Sequence, residues 1–117
     1  MNTRGEGVIG EQLVCEYIKG RGMRVLERNF ACHGGEADII ARDGAYIVFI
    51  EVKSRNSDEY GYGAESISRT KRRRLAYTAR YYLHMHRLNH MDARFDVAVV
   101  TRGDVEYIKD AFDMNDV

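Results

Sequence analysis

Three acids and one lysine carry the chemistry open to this sequence: Glu11, Asp38, Glu51 and Lys53. Asp38 and Glu51 stand on either side of Asp43-Gly44, a strong signal for a tight hairpin, because such a turn needs positive φ and these residues tolerate it. With Asp43-Gly44 as the two turn residues, Arg42 pairs with Ala45, Asp38 lies opposite Phe49 and Glu36 lies opposite Glu51. Side chains alternate along a strand, so Glu36, Asp38, Phe49, Glu51 and Lys53 share one face. Asp38 and Glu51 are then diagonal neighbours, with Cα atoms about 7–8 Å apart. The run Ile47-Val48-Phe49-Ile50 marks a strand buried on both faces, and a carboxylate ending such a run is costly to ionise without a compensating charge. A solvent-exposed Glu51–Lys53 salt bridge is the plainer reading, but it leaves Asp38 unexplained. Glu11 falls on the rim of the apolar arc formed by Ile9, Leu13, Val14, Cys15, Tyr17 and Ile18, either as a helix-edge residue or as a third acid held inward.

Acids converging without histidine or thiolate are hard oxygen ligands, suited to Mg²⁺ or Mn²⁺ rather than zinc. A cation held by Glu11, Asp38 and Glu51 can generate a hydroxide nucleophile and stabilise charge on a phosphoryl oxygen. A neighbouring lysine, Lys53, can orient the attacking water or steady the developing charge. Acids, one lysine and a basic groove together suit metal-assisted phosphodiester hydrolysis.

The elements that must position these groups follow from the pattern. A helix is predicted from about Val8 to Lys19, ended by Gly20 and Gly22. Strands are predicted over Met23–Phe30, Ala37–Arg42 and Tyr46–Lys53, with a loop at His33-Gly34-Gly35 and another, glycine-containing, from Ser54 to Gly63. A long helix follows from about Ser66 to His86, then a strand at Arg94–Thr101, a turn at Arg102-Gly103-Asp104 and a short strand at Val105–Lys109. The order α-β-β-β-α-β-β predicts an α/β sheet with helices packed against it.

The chain of 117 residues has the length of one domain, residues 1–117, and 44% apolar residues is a globular proportion. No apolar run approaches a membrane span of roughly 18 residues, and Met1 to Gly10 lacks the apolar stretch of a secretory signal. Cys15 and Cys32 are too few for a disulfide framework, and two free thiols fit a cytoplasmic location. Eighteen basic residues balance eighteen acidic ones, yet the charge is uneven. No acid occurs between Glu65 and Asp92, whereas that stretch holds Arg69, Lys71, Arg72, Arg73, Arg74, Arg80 and Arg87. Such a segment can bind a polyanion locally although the whole is neutral, or it can be an ordinary solvated helix face.

Glu11, Asp38 and Glu51-Val52-Lys53, on helix, strand and strand in that order, resemble the PD-(D/E)xK nuclease superfamily. Closer similarity is to the YraN family within it, carried by Gly10-Glu11, Glu27-Arg28-Asn29-Phe30, Gly35 to Ala41, Phe49 to Arg55, Lys71 with the basic helix, Arg94-Phe95-Asp96-Val97 and Ala111-Phe112. The resemblance implies a restriction-endonuclease-like fold, with a central mixed sheet of about five strands flanked by helices. It also implies that Glu11, Asp38 and Glu51 are metal ligands and Lys53 the catalytic lysine. Ala37 stands where the superfamily name has proline, and Glu36 belongs to the YraN pattern. Small members of the superfamily include Holliday junction resolvases, which act as dimers, so a homodimer is among the expectations.

On the basic helix, Leu75, Ala79, Tyr82 and Leu83 should face the core, leaving Arg73, Tyr77, Arg80, Tyr81, His84 and Arg87 on the surface. Arg can grip phosphate and Tyr can stack on an unpaired base. Lys71 to Arg74 lie at the end where the helix dipole already favours an anion. Arg55, Lys71, Arg72, Arg73, Arg74, Tyr77 and Arg80 are therefore the expected nucleic-acid contacts, with His33 and Arg28 weaker ones. Asp96, in an apolar strand, is expected to pair with Arg94 or a backbone donor and to take no catalytic part. The leading expectation is hydrolysis of DNA, including branched or single-stranded forms, with DNA favoured over RNA. A nucleic-acid-binding module with little catalysis, acting with a DNA-processing partner, is the alternative, and an assembly factor is a third.

Overall fold

The computed structural model describes residues 3–55 and 67–113. Its elements are helix α1 (Thr3–Gly20), strands β1 (Arg24–Cys32), β2 (Gly35–Asp43) and β3 (Tyr46–Arg55), helix α2 (Arg69–Met85), and strands β4 (Asp92–Thr101) and β5 (Asp104–Phe112). The five strands form one sheet in the order β1-β2-β3-β4-β5. Neighbours are antiparallel except β3 and β4, which run parallel and are joined through α2. This is the mixed sheet with flanking helices of a restriction-endonuclease-like fold. Most of the expected loop from Ser54 to Gly63, and the expected helix start at Ser66, lie outside the described residues. Among the described residues, no helix is long and apolar enough to cross a membrane.

β3 is the axis of the core. Ile47 and Phe49 pack toward α2 with Leu75, Ala79 and Tyr82, while Val48 and Ile50 pack toward α1 with Val14 and Ile18. The apolar run is thus buried on both faces, as its lack of alternation indicates. Leu75, Ala79, Tyr82 and Leu83 are buried on α2, whereas Arg73, Tyr77, Arg80, Tyr81, His84 and Arg87 are exposed, so the helical period is read correctly. Both cysteines are free, Cys15 buried and Cys32 half-buried.

The register of the β2–β3 hairpin differs from the expectation. Asp43 pairs with Tyr46 and Arg42 with Ile47, so the turn is Gly44-Ala45 rather than Asp43-Gly44. The turn's positive φ, +60°, falls on Gly44 at its first central position, as in a type II′ turn, whereas an Asp-Gly turn of type I′ needs positive φ at both centres. Asp43 is instead held at the strand end, its carboxylate accepting from Arg94 Nη1 at 2.8 Å. Moving the turn by one residue displaces the two strands by two residues relative to each other. An even displacement leaves every side chain on its original face. Asp38 and Glu51 therefore still share a face, but they stand across from each other rather than diagonally.

Candidate active site

The β2–β3 ladder ends at the pair Ile39–Ile50, immediately before Asp38 and Glu51. Beyond it the Asp38 carboxylate takes over the work of a backbone partner, accepting from the Val52 N–H at 2.8 Å. That bond satisfies a β3 donor and fixes the Asp38 side chain beside Glu51. Glu51, 6% exposed, directly follows the buried apolar run and faces α2 with Phe49.

Above these acids lies a cleft of about 800 Å³ between the tip of the β1–β2 hairpin and the first half of α2. Asp38, Glu51 and Glu36 line it from the sheet, His33 from the hairpin tip, and Ser68, Thr70, Lys71 and Arg74 from the helix. The hairpin can approach α2 because glycine stands at Gly34 in its turn and at Gly35 where β2 begins. A Cβ on Gly34 would run into the Tyr77 ring, and one on Gly35 would stand 3.0 Å from Thr78 Oγ1 and 3.2 Å from Arg74. The helix begins at a proper cap, with Ser68 Oγ accepting from the Lys71 N–H at 3.1 Å. Lys71, in the first turn, sends its ammonium down to the Glu51 carboxylate.

Electrostatics mark this as a strained place for charge. Burial, and then the neighbouring charge of Asp38, push Glu51 up to about 7 in spite of Lys71. Burial likewise raises Asp38, outweighing the Val52 N–H and Lys71, and Glu36 adds to the rise. Burial alone would lower the Lys71 ammonium, but its hydrogen bond to Glu51 and the charges of Glu51, Asp38 and Glu36 raise it overall. Two acids thus share one cation in a half-enclosed space.

Glu11 approaches from the α1 side of the sheet. Its side chain, 14% exposed, lies 3.8 Å from Arg28 Nη2 and hydrogen-bonds Asn29. Burial and the charge of Asp38 raise its pKa, so the two acids feel each other, yet Glu11 is not among the residues lining the cleft. Asn29 falls between the paired residues Arg28–Ile39 and Phe30–Ala37, across from Asp38, and has φ of +53°. Asparagine tolerates that left-handed conformation better than most residues. Gly10 permits the helix to lie close, since a Cβ there would be 2.7 Å from Ser54 Oγ on β3.

Of the residues expected in the site, the structure brings Asp38 and Glu51 together, with Glu11 behind Asp38. Lys53 lies two residues along β3, half-buried, and does not line the cleft; the lysine on the acids is Lys71. Among the described residues, no three His, Cys, Asp or Glu side chains gather closely enough to hold one metal ion. Arg74 lines the cleft, and Arg73, Tyr77 and Arg80 continue along the exposed face of α2. Arg72 departs from that row, lying over the Phe112 ring at 5.9 Å, its buried Nε without a hydrogen-bond partner among the described residues. Arg55 ends β3, paired with Thr101 in the ladder to β4, and is also outside the cleft.

Sequence reasoning missed Asn29 and the placement of Lys71. An asparagine inside a strand is a weak signal of the first, and nothing in the basic run singles out which cation turns inward.

The profile of a family described as "Uncharacterised protein family UPF0102" matches residues 10–100. A UPF0102 protein of Syntrophus aciditrophicus is 45% identical over 112 residues, covering 92% of this chain and 88% of that protein. One of Lachnoclostridium phytofermentans is 42% identical over 114 residues, with 97% of each covered. One of Persephonella marina is 41% identical over 110 residues, covering 94% of this chain and 95% of that protein.

Proposed function

Since the chain belongs to the UPF0102 family, we propose for it the hydrolysis of DNA phosphodiester bonds with Mg²⁺ or Mn²⁺ as cofactor. The observation that carries this reading is the pair of carboxylates, Asp38 and Glu51, standing side by side on the floor of a cleft whose other wall is cationic. Their mutual repulsion favours a bound cation, and two adjacent hard oxygen donors fit the one or two carboxylates with which Mg²⁺ is usually held. Such a cation supplies Lewis acidity toward a phosphoryl oxygen.

The chain's own groups do the rest. Arg74 and Lys71, at the capped start of α2, present cations to a phosphate lying in the cleft, where the helix dipole adds to their attraction. Glu11, through Asn29 and Arg28, backs Asp38 from the other side of the sheet. Lys53 keeps the strand position that the PD-(D/E)xK pattern gives its catalytic lysine, and Arg55 continues that strand. Tyr77 supports branched or single-stranded substrates: the residue is 47% exposed and its ring is backed by Gly34, which suits it to stack on an unpaired base.

Incubation of the purified protein with Mn²⁺ and linear, flapped and four-way DNA tests this. Cutting of at least one substrate is expected, reduced about 100-fold or more in Asp38→Asn and Glu51→Ala. No cutting of any substrate, or equal cutting by Glu51→Ala, sinks the reading. A second reading, DNA binding with little turnover, draws on the absence of a three-acid group among the described residues. It requires salt-dependent binding that Arg73 and Arg74 carry and that Glu51→Ala leaves intact.

A further inference from the structure

Lys71 is more deeply engaged than its place in a basic run requires. Arg73 and Arg74 in the same turn are exposed, as is most of Lys71, whose side chain is 56% accessible. Its ammonium nonetheless meets the Glu51 carboxylate, which is 8% accessible. Long, flexible and mostly solvated, this side chain can leave without disturbing the core. The Glu51 backbone is fixed: it is held in β3, between residues paired with Asp96 and Ala98 on β4. One ammonium set against two facing acids also leaves the site short of positive charge, a deficit that a dication would remove. The ammonium and a dication cannot both sit on the Glu51 carboxylate without repulsion.

We propose that Lys71 is the placeholder cation of the cleft: in the metal-free protein its ammonium occupies Glu51, and a divalent cation displaces it. The freed ammonium then turns into the cleft beside Thr70 and Arg74, where it contacts phosphate. This last step rests on the hydrolytic reading; the displacement does not. Lys71 is thereby a positioning residue that keeps two buried acids tolerable until the cation arrives.

Titration calorimetry with Mn²⁺ on the full chain tests the displacement, read beside the melting temperature of the metal-free protein. Lys71→Met removes the competitor, so Mn²⁺ should bind about tenfold tighter, the effect typical of one neighbouring charge. Lys71→Gln should do the same with a polar side chain, and Lys71→Arg should stay near wild type. Both neutral variants should melt lower than wild type without metal and recover with Mn²⁺. A merely structural lysine would weaken metal binding when removed. Unchanged or weaker Mn²⁺ binding in both neutral variants, or no Mn²⁺ binding by any form, overturns the proposal. Tighter binding in the neutral variants, with no DNA cut by wild type, would uphold Lys71's role and sink the hydrolytic reading instead.

Discussion

Two buried clusters in this sheet set a pair of acids against a single long cation, and they differ in how fully the acids are hydrogen-bonded. On the α1 side, Arg94 grips Asp96 through Nε and Nη2, both at 3.0 Å, and reaches Asp43 through Nη1 at 2.8 Å. Asp96 also accepts from the Tyr107 hydroxyl and from the Asp110 N–H at 2.9 Å. Burial would lower the Arg94 guanidinium, but its hydrogen bonds to Asp96 and Asp43 carry it well above its ordinary value. All three Arg94 guanidinium nitrogens and both Asp96 oxygens have a partner, and Asp96 is fully buried. At the cleft, Glu51 and Asp38 share a lysine that is mostly in solvent, and both are harder to ionise than usual. Saturated geometry marks a structural ion cluster, whereas adjacent acids left short of positive charge beside an open cleft mark a site waiting for a ligand.

The largest effect should come from breaking the saturated cluster. Arg94→Met leaves Asp96 buried without its bidentate partner, and removing one member of a buried pair costs about 3–5 kcal/mol. Urea denaturation should show that loss, and an effect below about 1 kcal/mol would mean that the network is not what holds β4 to β5.

The cleft should respond differently, and with a sign that depends on pH. The Glu51 carboxyl is raised in the folded chain from an ordinary 4.5 to about 7. The stability it contributes is therefore complete below about pH 4.5 and is lost as pH rises through about 7. Glu51→Gln, which cannot ionise, should gain on metal-free wild type by up to about 3 kcal/mol between pH 4.5 and pH 8. Urea midpoints measured across that range test it, and saturating Mn²⁺ should abolish the gain by stabilising wild type alone. A constant difference between the two proteins would place Glu51 among fully hydrogen-bonded acids like Asp96.

These clusters were legible in the sequence to unequal degrees. The double burial of β3, the core face of α2 and the shared face of Asp38 and Glu51 all follow from local periodicity, which depends on backbone geometry alone. The hairpin register did not, because Asp43-Gly44 is a good turn in isolation and what removes Asp43 from it is Arg94, on a strand far along the chain. The facing of the acids survived that error because the displacement was even. Lys71 was legible as a cation but not as the partner of Glu51, since that depends on how α2 docks after its long connection from β3. The fate of Arg72 follows from the same docking, which turns it over Phe112 at the end of β5. Asp96 could be paired with Arg94 from their spacing, although the roles of Tyr107 and Asp110 depend on the β5 register.

The smallest effect separates the two clusters most cleanly. Ser68 caps α2, its hydroxyl accepting from the N–H of Lys71 and its carbonyl accepting from Arg72 N–H at 2.9 Å. Ser68→Ala leaves an amide at the helix start without its side-chain acceptor, which typically costs about 1 kcal/mol. Because the cap bonds the residue whose ammonium rests on Glu51, fraying there should loosen Lys71 from the acid and let Mn²⁺ bind modestly tighter than in wild type. The shift should be smaller than that of Lys71→Met, because the ammonium is still present and only less well placed. Arg94 is packed on the opposite face of the sheet, so amide exchange at Asp96 and Asp110 should stay as in wild type. If amide exchange instead quickens equally at both clusters, the cap acts on the whole fold, and the cleft has no local freedom of its own.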